Sequence, residues 1–220
     1  MLIGCGQQKQ DIDEPVPAEE LYTSTYFQLK KRYAEARNTG ADDRPGWAIL
    51  SAEHDVLYPG LEVEPYDTTI DDLGQKDSPV EPEAYQHTAY PWDEPLYETR
   101  LDFWTRRVHF GLASWLGMKS GFPEEQPEAR RLIVLAGEQY LEPLWENDVF
   151  EPFPWENRFP FQENDFSGIG EQMHWLKQEA EKYSSEDVET EQDDLLGHGL
   201  RQNPDIDVPD VNGQSEWSDW

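Results

Sequence analysis

Three short clusters hold the residue types from which a reactive site is built. In the first, Gly4-Cys5-Gly6 sets a thiol between two glycines, with Lys9 close behind. Glycines let backbone amides approach an anion and a lysine neutralises it, so this stretch offers phosphate or carboxylate binding. A glycine turn around a small buried thiol, with a solvated Lys9, is the evenly weighted alternative. The second cluster is Ser51-Ala52-Glu53-His54, followed by Pro65-Tyr66-Asp67-Thr68-Thr69. A histidine, two carboxylates and a tyrosine near one place are what general acid and base chemistry requires. His54 as a packing or capping residue, and Asp67 as the start of an Asx turn, account for the same residues without chemistry. The third cluster joins Ala136-Gly137-Glu138-Gln139-Tyr140 to Gly168-Ile169-Gly170-Glu171-Gln172. Glycines at a helix start expose unpaired amides to an anion. Close helix packing accounts for the same glycines, and Glu171 in the first turn satisfies the helix dipole without a ligand.

These clusters supply Cys5, Ser51, His54 and Asp67 as candidate catalytic residues. Gly4, Gly6, Lys9, Tyr66, Gly137, Tyr140, Gly168, Gly170 and Gln172 are the candidate ligand-binding residues. His87, His109, His174 and His198 sit in unrelated contexts without a metal-ligand spacing, and the single cysteine gives no thiolate zinc set, so neither metal nor cofactor is expected.

The elements that must position these residues read as alternating strands and helices. Met1 to Ile3 is an apolar run that meets the Gly4 turn, Trp47 to Ser51 a second short strand, and Arg131 to Ala136 an unbroken apolar strand. Helices are expected from Ser24 to Arg37, with Tyr26, Leu29, Tyr33 and Ala36 as the apolar stripe and Lys30, Lys31 and Arg32 as solvated positions between. Further helices are expected from Leu96 to Leu116, ending at Gly117, after Ala136 to Trp145, and from Gly168 to about Tyr183. Tyr58 to Pro95 reads as a long excursion with little regular structure, and Val149 to Phe161 as an edge strand or packed loop. The pattern predicts an α/β fold: a small, mostly parallel sheet in three layers with helices on both faces. Residues 1–183 form the single domain and residues 184–220 an acidic, poorly ordered tail. In such a sheet ligands bind beyond the carboxyl ends of the strands, and each cluster follows an apolar strand run or opens a helix, so the clusters are expected to converge there.

Composition bounds the setting. Asp and Glu number 47 against 17 Lys and Arg, for a formal net charge of -30, with a pI of about 4.2 and mean hydropathy of -0.87. Self-repulsion on that scale is costly in ordinary buffer but tolerable at about 1 M salt, where the Debye length is about 3 Å. A salt-rich cell interior is therefore expected. Nine Trp, ten Tyr and nine Phe are too many for a disordered chain and supply a core. The lone Cys5 fits a reducing compartment, and the chain shows neither a signal-like start nor a membrane-length apolar run, so a cytoplasmic location is expected.

Taken together, Leu2-Ile3-Gly4-Cys5-Gly6 with Lys9, Pro17-Ala18 through Leu21-Tyr22-Thr23-Ser24, Ile49-Leu50-Ser51-Ala52-Glu53-His54 and Pro65-Tyr66-Asp67-Thr68 form a recognisable set. Leu135-Ala136-Gly137 with Tyr140, and Gly168-Ile169-Gly170-Glu171-Gln172 ending in Trp175-Leu176, complete it. The set resembles an uncharacterised prokaryotic family, domain of unknown function 6884, in its haloarchaeal type, over about Met1 to Tyr183. That family usually has glycine after the histidine, where Asp55 stands here. Leu50-Ser51, Val56-Leu57-Tyr58-Pro59 and Pro65-Tyr66 are more distantly similar to the peroxide-stress YaaA family, which implies a nucleic-acid or nucleotide context.

Two functional classes stay open. One is an enzyme acting on a nucleotide, nucleobase or other phosphate-bearing small molecule at the carboxyl edge of the sheet. The other is a binding or regulatory module in DNA protection or stress response. The acidic coat weighs against nucleic acid as a partner, because DNA affinity comes largely from Lys and Arg.

Overall fold

The computed structural model describes residues 1–37, 46–74, 99–116, 131–153 and 155–197, with side chains as far as Ser184. The chain divides into two units, Met1–Ser184 and Ser185–Trp220. Every described strand lies in the first unit.

Five strands build the main sheet: β1 (Leu2–Gly4), β3 (Ala48–Ser51), β4 (Asp55–Leu57), β6 (Arg131–Leu135) and β7 (Glu156–Arg158), in the order β4-β3-β1-β6-β7. β1, β3, β6 and β7 run parallel, and β4 folds back antiparallel on β3. A separate small ribbon pairs β2 (Val16–Pro17) with β5 (Glu62–Val63). The architecture is therefore the expected α/β one, mostly parallel, with an antiparallel edge at β4.

The side-chain alternation explains why the strands read as unbroken apolar runs. Leu2, Ala48, Leu50, Leu132 and Val134 enter one core, while Ile3, Ile49, Ile133 and Leu135 enter the other. Both faces are covered, so these strands carry apolar side chains on either side. The first core is closed by α3 (Ile70–Leu73), α4 (Arg100–Trp115) and α5 (Glu138–Glu146). The second is closed by α1 (Ala18–Leu21), α2 (Thr25–Ala36), α6 (Pro160–Glu163) and the first turns of α7 (Ile169–Gly197).

Local chemistry sets the helix boundaries. Ser24 caps α2 by accepting from the Phe27 amide, and Thr99 with Asp102 forms a reciprocal capping box at the start of α4. On α4, Trp104, Val108, Leu112 and Trp115 are buried at three- and four-residue spacing, with Leu101 packed beside them. On α2 the buried side chains are Phe27, Lys30, Tyr33 and Ala34, whereas Tyr26, Leu29 and Ala36 are only partly buried. The helix is thus turned by about one residue from the expected stripe, and Lys30 is in the core, not in solvent. α7 runs past Tyr183, where the apolar spacing ends, because no glycine or proline interrupts the chain before Gly197. Residues 75–95 of the expected excursion, residues 96–98 of the helix expected from Leu96, Gly117, and residues 198–220 of the expected tail lie outside the described residues.

Candidate functional site

Parallel pairing brings the ends of β1, β3 and β6 to one rim. Ile3 pairs with Ile49 and with Leu135, so Cys5, Ser51 and Ala136 follow at the same edge. The Cys5 amide donates to the Leu50 carbonyl at 2.9 Å, which carries the β1 ladder one residue past the strand. Gly6 then presses the loop onto the start of α2, where a Cβ would stand 2.9 Å from Ser24 Oγ. Lys9 bridges back to Tyr22 through the backbone, and its Nζ lies 4.3 Å from the centre of the Tyr66 ring.

Ser51 is fully buried at the end of β3. Its Oγ accepts from the amides of Glu53 at 3.1 Å and His54 at 3.0 Å, which closes the turn into β4. The same Oγ meets the Tyr66 hydroxyl at 2.8 Å, and that hydroxyl meets Tyr22 Oη at 2.7 Å. Cys5 Sγ lies 3.2 Å from the Tyr140 hydroxyl, and Cys5 bears electrostatically on Tyr66. Behind them Trp104 Nε1 donates to the Ser51 carbonyl at 2.8 Å and turns its ring edge to Tyr140. His54 stands edge-on to Tyr66 with ring centres 5.0 Å apart, and Thr68 donates to Glu53.

Burial raises Tyr22, Tyr66 and Tyr140 above the ordinary phenol range, and the neighbouring Cys5 pushes each further the same way. All three are neutral hydroxyls at physiological pH, able to donate as well as accept. Burial also lowers His54, against the Glu53 carboxylate, which raises it; its Nε2 is buried with no hydrogen-bond partner among the described residues. Lys30, 3% exposed, donates to the Gly4 carbonyl and faces the rings of Tyr26 and Phe27. Burial lowers it to about 8, and the nearby Cys5 acts in the opposite direction.

The turn after His54 departs from glycine without departing from glycine's conformation. Asp55 takes φ 58°, the left-handed region that aspartate tolerates better than most residues. Its Oδ2 accepts from Arg107 Nε of α4 at 2.6 Å.

Not every candidate joins this cluster. Asp67 is exposed on the loop beyond Tyr66. Gly137 is the exposed N-cap of α5, and Gly168 and Gly170 are exposed at the start of α7, with open space where a Cβ would stand. There the Glu171 carboxylate accepts from the Ser167 amide at 2.7 Å, so the helix start already has an anion of its own. Gln172 reaches the cluster only indirectly, accepting from the hydroxyl of Tyr26, whose ring faces Lys30. Sequence reasoning missed Tyr22, Trp104 and Lys30. For Lys30 the signal was present, since it falls three residues after Phe27 and four before Ala34, on the buried face. Among the described residues no group of three or more His, Cys, Asp and Glu is arranged to hold a metal ion, and no helix is long and apolar enough to cross a membrane.

Residues 1–81 match a family of unknown function, DUF6884. The matched stretch, less than half of the chain, holds Cys5, Lys9, Tyr22, Lys30, Ser51, His54 and Tyr66; Trp104 and Tyr140 come from beyond the DUF6884 match. No curated protein and no solved structure matches the chain.

Proposed function

We propose that this chain is an enzyme acting on a nucleotide, nucleobase or related phosphate-bearing small molecule at the carboxyl rim of its sheet. One observation carries the reading. The Tyr66 hydroxyl bonds both Ser51 Oγ and Tyr22 Oη, Cys5 meets Tyr140, and Trp104 joins Ser51 to Tyr140, so side chains following separate strands share one polar cluster at that edge. Parallel sheets bind ligands there because the strand ends leave polar groups facing a common crevice.

In this reading Lys9 meets an anionic group of the ligand, and the neutral phenols of Tyr66 and Tyr140 orient it by donating hydrogen bonds. His54, held neutral by its burial, takes a proton, and Cys5 is the nucleophile. The wider setting we infer is the salt-rich cytoplasm of a haloarchaeal type of cell, as the acidic coat and the family likeness suggest. The distant YaaA likeness adds a nucleic-acid or nucleotide context.

The test is a thermal-shift screen of nucleobases, nucleosides and nucleotides in concentrated KCl, repeated with His54→Ala and Tyr66→Phe. A ligand that raises the wild-type Tm, with the gain lost in both variants, is the expected result. A second reading, a binding or regulatory module, is favoured by the exposure of Asp67 and by the self-capped start of α7. It predicts instead no small-molecule stabilisation and a measurable affinity for DNA or a protein at high salt.

A further inference from the structure

Lys30 is the least expected side chain of the rim. An ammonium taken out of water is strongly destabilising unless an opposite charge accompanies it. Among the described residues no carboxylate pairs with Lys30, in a chain that has 47 acidic side chains to offer. Its hydrogen bond goes to the Gly4 carbonyl, one half of the peptide that leads into Cys5, and the rings of Tyr26 and Phe27 cover its other sides. That hydrogen bond sets the ammonium one peptide away from Cys5, whose thiol bears on it electrostatically.

The remaining surroundings of that thiol favour an anion as well. Tyr140 of α5 lies 3.2 Å from Sγ, Tyr66 on the loop after β5 is an electrostatic neighbour of Cys5, and Tyr22 stands behind Tyr66. The Tyr140 phenol is neutral, so it can direct a hydrogen toward sulfur, and a hydrogen bond to the charged form stabilises that form. Lys9 lies over the Tyr66 ring, and the Asp71 carboxylate bears on Tyr140.

We propose that Lys30 is the buried positive charge that holds Cys5 as a thiolate, its proton released to solvent, with Tyr140 as donor to the sulfur. Lys30 acts through Cys5 and is a positioning residue. The proposal deepens the reading of Cys5 as the nucleophile of this rim, and it is tested without any ligand.

Cys5 is the single cysteine, so alkylation by iodoacetamide reads one thiol. The rate is measured against pH for the wild type, Lys30→Met and Lys30→Arg, with Cys5→Ser as the blank. The expected wild-type midpoint lies below the value of about 8.5 for a free thiol. Lys30→Met slows alkylation near neutral pH by about tenfold, the effect of a one-unit change in ionisation, and Lys30→Arg restores part of it. At about 1 M KCl, where exposed charges are screened over about 3 Å, the low midpoint persists because Lys30 is buried. Three results overturn the proposal: a wild-type midpoint at or above the free-thiol value, a folded Lys30→Met protein with an unchanged profile, or a midpoint that rises to the free-thiol value in salt. If Lys30→Met does not fold, the wild-type profile at low and high salt decides. An activated thiol without any ligand hit leaves Lys30 in its role and removes only the proposed substrate class.

Discussion

Asp55 carries two burdens at once: a left-handed backbone, and a carboxylate whose Oδ1 is buried without a hydrogen-bond partner among the described residues. Burial pushes its carboxyl up to about 7, although the Arg107 guanidinium pulls the other way. The folded protein therefore binds this proton more tightly than the unfolded chain does. The contribution of Asp55 to stability is full below the ordinary aspartate value of 3.8 and is lost as pH rises through about 7. Asp55→Asn keeps a residue that tolerates positive φ and removes the charge, so its Tm relative to wild type is expected to be more favourable at pH 8 than at pH 5, read by paired thermal melts. An equal difference at both pH values would contradict this assignment. Ser51→Ala is expected to lower stability by about 2 kcal/mol in denaturant unfolding, because it strips the Glu53 and His54 amides of their acceptor inside a buried turn. At this scale the sequence revealed Cys5, Ser51, His54, Tyr66 and Tyr140 by residue type beside a strand end. Lys30 was misplaced because a helical face off by one residue exchanges core for solvent, and Tyr22 was hidden because a tyrosine's partners are set by tertiary packing alone.

Helix α4 lies against β4 at one close approach. A Cβ on Gly111 would stand 2.9 Å from Val56 Cβ and 3.0 Å from its Cγ2. Alanine is favoured over glycine in a helix interior by about 1 kcal/mol, but overpacking costs typically about 1–3 kcal/mol, so Gly111→Ala is expected to be destabilising on balance by about 1 kcal/mol. Adding Val56→Gly removes both contacting carbons, and a double-mutant cycle should then give a favourable coupling; additive losses would show that the contact does not limit the packing. The three parallel strands β1, β3 and β6 were legible because a continuous apolar run bounded by turn residues is the pattern of a strand covered on both faces. β4 was not, since Asp55-Val56-Leu57 is a three-residue strand whose register is fixed by the buried Ser51 turn and not by any pattern of its own. β7 was expected only as one of two readings of Val149 to Phe161, and it forms by pairing Glu156, Asn157 and Arg158 with β6, where Arg131 also meets Glu156 at 2.8 Å. The two-residue ribbon of β2 and β5 carries too few side chains to signal itself.

For the molecule as a whole, a net charge of -30 makes self-repulsion the term that solvent controls. Stability is expected to rise steadily with KCl up to about 1 M as screening shortens to about 3 Å, and a protein that melts at the same temperature in dilute and concentrated salt would remove the salt-rich setting. Removing residues 185–220 is expected to leave the Tm nearly unchanged, since among the described residues both cores close with side chains before Ser184; a large drop would assign that segment a stabilising role. The α/β class followed from the alternation of elements, while the charge told nothing of the fold.

The indole of Trp104 donates to the Ser51 carbonyl and sits edge-on to Tyr140 with only 2% of its surface exposed. Its emission is therefore coupled to the turn that holds the polar cluster. Subtracting the fluorescence of Trp104→Phe from that of the native protein isolates a built-in optical reporter, able to follow occupancy of the rim in real time without any added label.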